Sequence, residues 1–256
     1  MKISLIQPDT IWENKSENFR VLERLIAPLS GSTDLVILPE LFNTGFSMNP
    51  VILAEATGGE TFRWMKKTAV EGNFGLCGSY IAREEDRFYN RFVFVSPDDE
   101  VWHYDKRHLF SMGEENNYLS RGTRKLIFTF RGVHISPFIC YDLRFPVWSR
   151  SRHEVDLIIY SSNWPDARKE VWNTLTKARA IENQCYVAGV NRIGTDGNRI
   201  LYCGDSRIVH PYGNIIVSAG PDKECSVTGV ISLEELSEFR KKFPVLDDAD
   251  DFAITP

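Results

Sequence analysis

The feature that most constrains this sequence is a set of short, almost wholly apolar runs that break off at a polar or charged residue. LVILP stops at Glu40, VHISPFI stops at Cys140, and DLIIY runs out into SSNWP. A run of this kind suits a strand buried on both faces, and such a strand needs cover above and below its sheet. Segments of helical period supply the cover. Asn14 and Glu17 have capping-box spacing ahead of Phe19, Leu22, Leu25 and Ile26, which recur as one helical face. TFRWMKKTAVEG predicts a second helix, RKEVWNTLTKARAIENQ a long one with Val171, Leu175, Ala178 and Ile181 on a shared face, and LEELSEFRKKF a last one. GLCGSYI, RFYNRFVFVSP and EVWHYDK read as strands, and KLIFTF and VHISPFI flank Arg131-Gly132 as a hairpin. The order is therefore βα units mixed with antiparallel hairpins, an α/β (α+β) pattern satisfied by sheets with helices on their outer faces.

The chain has 256 residues and no obvious linker, so the expectation is one domain spanning 1–256, with an acidic, solvated or partner-draped tail from about 245. The formal net charge is -5 with both signs interspersed, which leaves no basic stripe for nucleic acid. MKISLIQPDTIW meets Gln7, Pro8 and Asp9 too early to be a signal segment, and no apolar run is long enough for a bilayer span. The chain reads as soluble and cytoplasmic. Five cysteines, at 77, 140, 185, 203 and 225, form no CxxC pair and suggest no disulfide framework. Cys77, Cys185 and Cys203 lie in apolar surroundings, where a thiol serves as a small hydrophobe. His103 and His108 have no Cys or His partner at ligand spacing, so no metal site is expected.

Three residues share one topological situation. Glu40, Lys106 and Cys140 each stand where a strand runs out into a loop, the rim at which α/β sheets bind ligands. Singly, Glu40 suits a cap, Lys106 a solvated charge and Cys140 a core thiol. Jointly they suit chemistry, because a cysteine attacks as thiolate and needs a base for its proton and a cation for its charge. Asp142 to Trp148, with Pro146 in the first turn, predicts a helix whose N-terminus lies near Cys140 and lowers its pKa. The polar stretch from 107 to 124 lacks a period and reads as a long loop, a length that usually signals function.

PELFNTGF, YDKRHLF, CYDLRFPVW, ARAIENQCYVAGVNR and GDSRIVHPYG resemble, in order, the blocks of the nitrilase superfamily of carbon–nitrogen hydrolases. The resemblance runs from Lys2 to about Ile231. DKRHLFSMGEE and CYDLRFPVWSR are most similar to its omega-amidase type, in the bacterial YafV-like branch. The resemblance implies a four-layer α-β-β-α sandwich, a Glu40–Lys106–Cys140 catalytic set, no metal or organic cofactor, and a homodimer. It also implies a second glutamate after the lysine, for which Glu115 is favoured and Glu114 is the neighbour one residue away. Lys106 and the backbone N–H of Tyr141 would then stabilise an oxyanion.

The substrates implied are terminal amides of short dicarboxylate monoamides such as 2-oxoglutaramate and 2-oxosuccinamate. A far-end carboxylate asks for a cation, and Arg144 is the candidate unless it pairs with Asp142 or another acid. Phe42, Phe46, Tyr118 and Trp164 are candidate pocket walls. An aliphatic nitrile is the rival within the class, and an inactive binding scaffold the rival outside it. A serine hydrolase has no GxSxG elbow here.

Overall fold

The computed structural model describes residues 1–254. The first half of the chain runs β1 (Lys2–Gln7), α1 (Lys15–Ile26), β2 (Leu35–Ile37), α2 (Pro50–Leu53), β3 (Glu55–Ala56), α3 (Glu60–Gly72), β4 (Gly75–Glu84), β5 (Arg87–Val95) and β6 (Val101–Asp105). After α4 (Glu115–Tyr118) come β7 (Phe128–Phe130), β8 (Val133–Ile139), α5 (Pro146–Ser149), β9 (Leu157–Ser161), α6 (Lys169–Asn183) and β10 (Tyr186–Val190). The remainder is β11 (Ile193–Thr195), β12 (Leu201–Cys203), β13 (Arg207–Val209), β14 (Ile215–Ser218), β15 (Cys225–Val230) and α7 (Leu233–Lys242).

Two main sheets result, in the orders β15-β1-β2-β4-β5-β6 and β14-β13-β10-β9-β8-β7, with β3 added beside β4 and a separate β11-β12 ribbon. The apolar runs explain the layering. In β2 and the residue after it, Leu35 and Ile37 join the core between the sheets, whereas Val36 and Leu38 pack with Phe19 and Leu22 of α1 and Met65 of α3. β5 repeats the alternation: Phe92 and Phe94 point between the sheets, Val93 and Val95 toward the helices. Phe94 meets Phe128 and Phe130 of the opposite sheet at ring separations of 4.6 and 5.0 Å. α6 and α7 cover the second sheet, and the architecture is the expected four-layer α-β-β-α sandwich.

Local details differ from the expectations in three places. Asn14 caps α1 by accepting from Glu17 N, but the Glu17 carboxylate turns outward to Arg20 instead of completing the box. In α6 the buried residues are Trp172, Thr176, Arg179, Ala180 and Asn183, while Ile181 is exposed. The inner face carries polar groups because it meets backbone carbonyls: Arg179 donates to Leu143 O and Trp172 to Asp205 O. The helix expected from Asp142 to Trp148 is a five-residue 3-10 turn, Cys140–Arg144, followed by the single turn α5. The acidic tail is for the most part exposed, with Leu246 buried, and is tied to its own chain where His153 bonds Asp247 at 2.8 Å and Arg152 pairs with Asp251 at 2.9 Å. Two basic side chains before β9 hold it there.

Candidate active site

Four strand ends converge at one end of the sandwich. β2 delivers Glu40 after Pro39, β6 delivers Lys106, β8 delivers Cys140 and β9 delivers Asn163. Sharp turns at two of these ends aim the side chains. Leu41 has φ 45° and Cys140 itself has φ 42°, the left-handed region that costs a non-glycine residue of order 1–3 kcal/mol and that surrounding contacts must hold.

Glu40, Lys106 and Glu115 are fully buried, and both carboxylates bond the lysine. Lys106 Nζ donates to Glu40 Oε1 at 2.7 Å and to Glu115 Oε2 at 2.8 Å. Asn90, from the middle of β5, donates through one amide to both carboxylates at 2.8 and 3.0 Å, and its own carbonyl accepts from Ser79 Oγ. Asn163 N donates to the remaining Glu40 oxygen at 2.9 Å, and the Phe110 N–H donates to Glu115 Oε2 at 2.7 Å. Cys140 Sγ faces the Asn163 carbonyl at 3.6 Å. Glu114, by contrast, is exposed, with φ 59° turning it away from the cluster. Of the two neighbours, Glu115 is the one beside Lys106.

Burial governs the protons here. It pushes the Glu40 carboxyl above the ordinary range, Lys106 opposes the shift and Glu115 adds to it. Burial also pushes the Cys140 thiol well up, helped by the Glu40 charge and opposed by Lys106. For Lys106 burial alone would favour the neutral amine, but Glu115 and Glu40 outweigh it and raise the ammonium's pKa. The expectation of a thiol acidified by a helix N-terminus is therefore overturned: the helix is a short turn, and the thiol lies in an enclosed site beside a carboxylate.

Lys106, Cys140 and Asn163 line a cavity of about 460 Å³, with Glu40 and Glu115 buried behind them. Of the candidate walls, Phe46 and Trp164 line it, with Phe46 under Lys106 Nζ at 5.5 Å. Phe42 does not: it is buried behind Glu40 against Trp64 and the helix layer. Tyr118 lies outside the cavity as well, its ring exposed at the end of α4. Arg144 lines the cavity with its guanidinium over Trp164 at 5.0 Å and has no carboxylate at ion-pair distance among the described residues. Asp142, its suspected partner, is occupied by Tyr104, His108 and Ile139 N. Tyr141 also lines the cavity, and its N–H lies in the first turn of a 3-10 helix, where no intrahelical acceptor exists.

Three participants were not read from the sequence. Asn163 carried a usable signal, because DLIIYSSNWP is another strand with a polar exit. Asn90 is a buried polar interruption in an apolar strand. Arg168, which lines the cavity with its guanidinium 5.5 Å from the Phe110 ring, had no local signature.

Comparison with known proteins agrees with this geometry. The model of the family described as Carbon-nitrogen hydrolase matches residues 2–241. The chain is 41% identical over 254 residues to "Omega-amidase YafV" of Escherichia coli (strain K12), covering 99% of this chain and 98% of that protein. It is 36% identical over 251 residues to "2-oxoglutaramate amidase" of Bacillus subtilis (strain 168), covering 96% of each. Among solved structures, XC1258 from Xanthomonas campestris, a CN-hydrolase superfamily protein with an arsenic adduct in its active site, superposes with a TM-score of 0.97 at 40% identity. That superposition covers 100% of this chain and 99% of XC1258.

Proposed function

Because the chain belongs to the carbon–nitrogen hydrolase family, we propose that it is an omega-amidase hydrolysing the terminal amide of a short dicarboxylate monoamide, 2-oxoglutaramate or a related 2-oxo amide. The observation that carries the substrate class is Arg144, a guanidinium without a carboxylate partner among the described residues, in the same cavity as Cys140. A carboxylate at the far end of the substrate would supply the missing partner.

Glu40 takes the thiol proton as Cys140 attacks the amide carbon. The Lys106 ammonium and the Tyr141 N–H receive the developing oxyanion. Collapse of the tetrahedral intermediate breaks the C–N bond, Glu40 passes its proton to the departing nitrogen, and ammonia leaves a thioester on Cys140. Water then gives a proton to Glu40 and adds to the thioester carbonyl, with Glu115 holding Lys106 in place. The second intermediate expels the sulfur, which recovers its proton from Glu40, and the acid is released. One carboxyl with a raised pKa serves as base and acid in both halves. No step calls for a metal or organic cofactor.

The decisive experiment is ammonia release from 2-oxoglutaramate, glutamine, asparagine and a short aliphatic nitrile, with Cys140→Ala as control. Turnover of the 2-oxo amide that disappears in the variant supports the reading. Turnover of the nitrile alone moves the protein to a nitrilase, and turnover of none leaves a binding scaffold.

We further propose a homodimer in the cytoplasm. Ile181 of α6, Tyr212 and Ile215 are large apolar side chains exposed at 51%, 56% and 43%, and the Tyr212-Gly213 turn lies against Ile181. An apolar patch of this kind suits an interface. All five cysteines are unpaired, as in a reducing compartment. Light scattering that gives a dimer mass, reduced to a monomer by Ile181→Asp, tests the assembly. A monomeric wild type ends that proposal.

A further inference from the structure

Asp142 takes no part in the proposed chemistry, yet it is fully buried and unusually well bonded. Its Oδ2 accepts from Tyr104 Oη at 2.8 Å and from Ile139 N at 3.0 Å. Its Oδ1 accepts from His108 N at 3.0 Å and from the His108 ring at 2.8 Å. These partners are not scattered. Tyr104 and His108 flank Lys106 at the end of β6, in the first sheet; Ile139 and Asp142 flank Cys140 at the end of β8, in the second.

We infer that Asp142 is the positioning residue that sets the catalytic lysine against the catalytic cysteine, by binding the two strand ends that carry them to a single carboxylate.

The physical argument has two parts. The left-handed φ of Cys140 is a strained state for a residue with a side chain, and the bond from Ile139 N to Asp142 Oδ2 closes the turn around it. At the same time both ends of the Lys106 segment, Tyr104 and His108, are bound to that carboxylate across the sandwich. The Lys106 ammonium and the Tyr141 N–H must point at one oxygen to stabilise an oxyanion, and they come from different sheets. A carboxylate that only accepts hydrogen bonds is suited to join four donors; it also fixes the hydrogen of His108 on Nδ1. The His108 ring is stacked on Phe145 at 3.8 Å, so its direction is set before the bond forms.

The inference rests on the amidase reading for its kinetic consequence, but the alkylation of Cys140 by iodoacetamide reports the geometry without any substrate. Three variants serve: Asp142→Asn, which places an NH₂ group against at least one N–H donor; His108→Phe, which keeps the stacking and loses the ring hydrogen bond; and His108→Gln, which can still donate. Active sites are counted by stoichiometric alkylation. Expected for Asp142→Asn is a loss of ~10- to 100-fold in kcat per titrated thiol, the scale of an ångström-sized misplacement, with KM for 2-oxoglutaramate within about twofold and a slower alkylation of Cys140. His108→Phe should show the same pattern more weakly, and His108→Gln should recover part of it. If Asp142→Asn does not fold, the His108 pair decides alone. Unchanged kcat per thiol and unchanged alkylation in the folded variants would overturn the inference and leave Asp142 a packing residue, as would a change confined to KM. A wild type that alkylates normally but releases no ammonia would count against the amidase reading instead, and the alkylation rates would still test Asp142.

Discussion

Glu40 and Glu115 hold the same ammonium between them, at 2.7 and 2.8 Å from Lys106 Nζ, and they share the amide of Asn90 on another side. Two buried carboxylates so close cannot behave alike. Glu40 also faces the thiol, whereas Glu115 also anchors the Phe110 backbone. In the mechanism proposed above, Glu40 is the proton carrier and Glu115 a support.

That division predicts unequal losses. Cys140→Ala should lower kcat by at least about 10⁴-fold, since no other group can form the thioester. Glu115→Gln should cost roughly 10²- to 10⁴-fold, the usual worth of a group acting in proton transfer or its preorganisation. Glu114→Gln should cost at least about tenfold less than Glu115→Gln. Ammonia release under saturating 2-oxoglutaramate measures all three, and equal effects of the two glutamine variants would refute the assignment of Glu115.

The pH profile follows from the raised pKa of Glu40. A carboxyl that must accept a proton works only when ionised, so activity falls as pH drops through its pKa, and burial has moved that pKa upward. The acid limb of kcat/KM is therefore expected above the ordinary glutamate range. Removing the Glu115 charge takes away a repulsion and leaves Lys106 more fully to Glu40, so in Glu115→Gln the limb should move to lower pH. A limb that stays in place would mean that another group controls it.

Specificity should separate the two cavity guanidiniums from the catalytic groups. Arg144→Met is expected to raise KM for 2-oxoglutaramate by roughly 10- to 100-fold, corresponding to the loss of a charge-assisted hydrogen bond of about 1.5–3 kcal/mol. A simple amide without a carboxylate, such as propionamide, should be hydrolysed no worse by the variant than by the wild type. Arg168→Met offers a comparison, because that guanidinium lines the cavity from the segment after β9. Equal losses on both substrates would place Arg144 in the scaffold.

Stability should be most sensitive between the sheets. Phe94 is fully buried and its ring touches Phe128 and Phe130 across the sandwich. Phe94→Ala is expected to cost about 3–5 kcal/mol, read by urea unfolding, and the exposed Ile181→Ala far less as a monomer.

The sequence revealed the strand ends more fully than the helix faces. A run such as LVILP carries its own boundary, because an apolar strand cannot continue through a proline and a charge; Glu40 follows from that rule, while Lys106 and Cys140 follow from standing at strand ends and from the family resemblance that joins the three. The choice between Glu115 and Glu114 was harder: it turns on one left-handed residue and a single turn of helix, which no period encodes. In α6 the apolar residues marked only the margin of the buried face: Val171 and Leu175 pack partly buried against the core, while Arg179 is drawn inward by the Leu143 carbonyl and Thr176 is satisfied by Trp172 O of its own helix. The thiol's raised pKa had no local sign either. It comes from burial and from the Glu40 charge, against the opposing pull of Lys106 and the Asn163 backbone, and only the tertiary fold brings these groups together.

The pairing of β1 with β15 has a consequence for synthesis on the ribosome. Residues Lys2 to Gln7 are matched antiparallel to Cys225 to Val230, and the amino terminus itself donates to Ile231 O at 2.9 Å. β1 thus receives its outer neighbour only after some 220 further residues, roughly 10 to 45 s at ordinary rates of translation. Throughout that interval one border of the first sheet is an apolar strand with unpaired backbone groups, the kind of border that recruits other chains. Until the last strand arrives, a growing chain depends on its α1 cover, or on a chaperone, to keep that border from its neighbours.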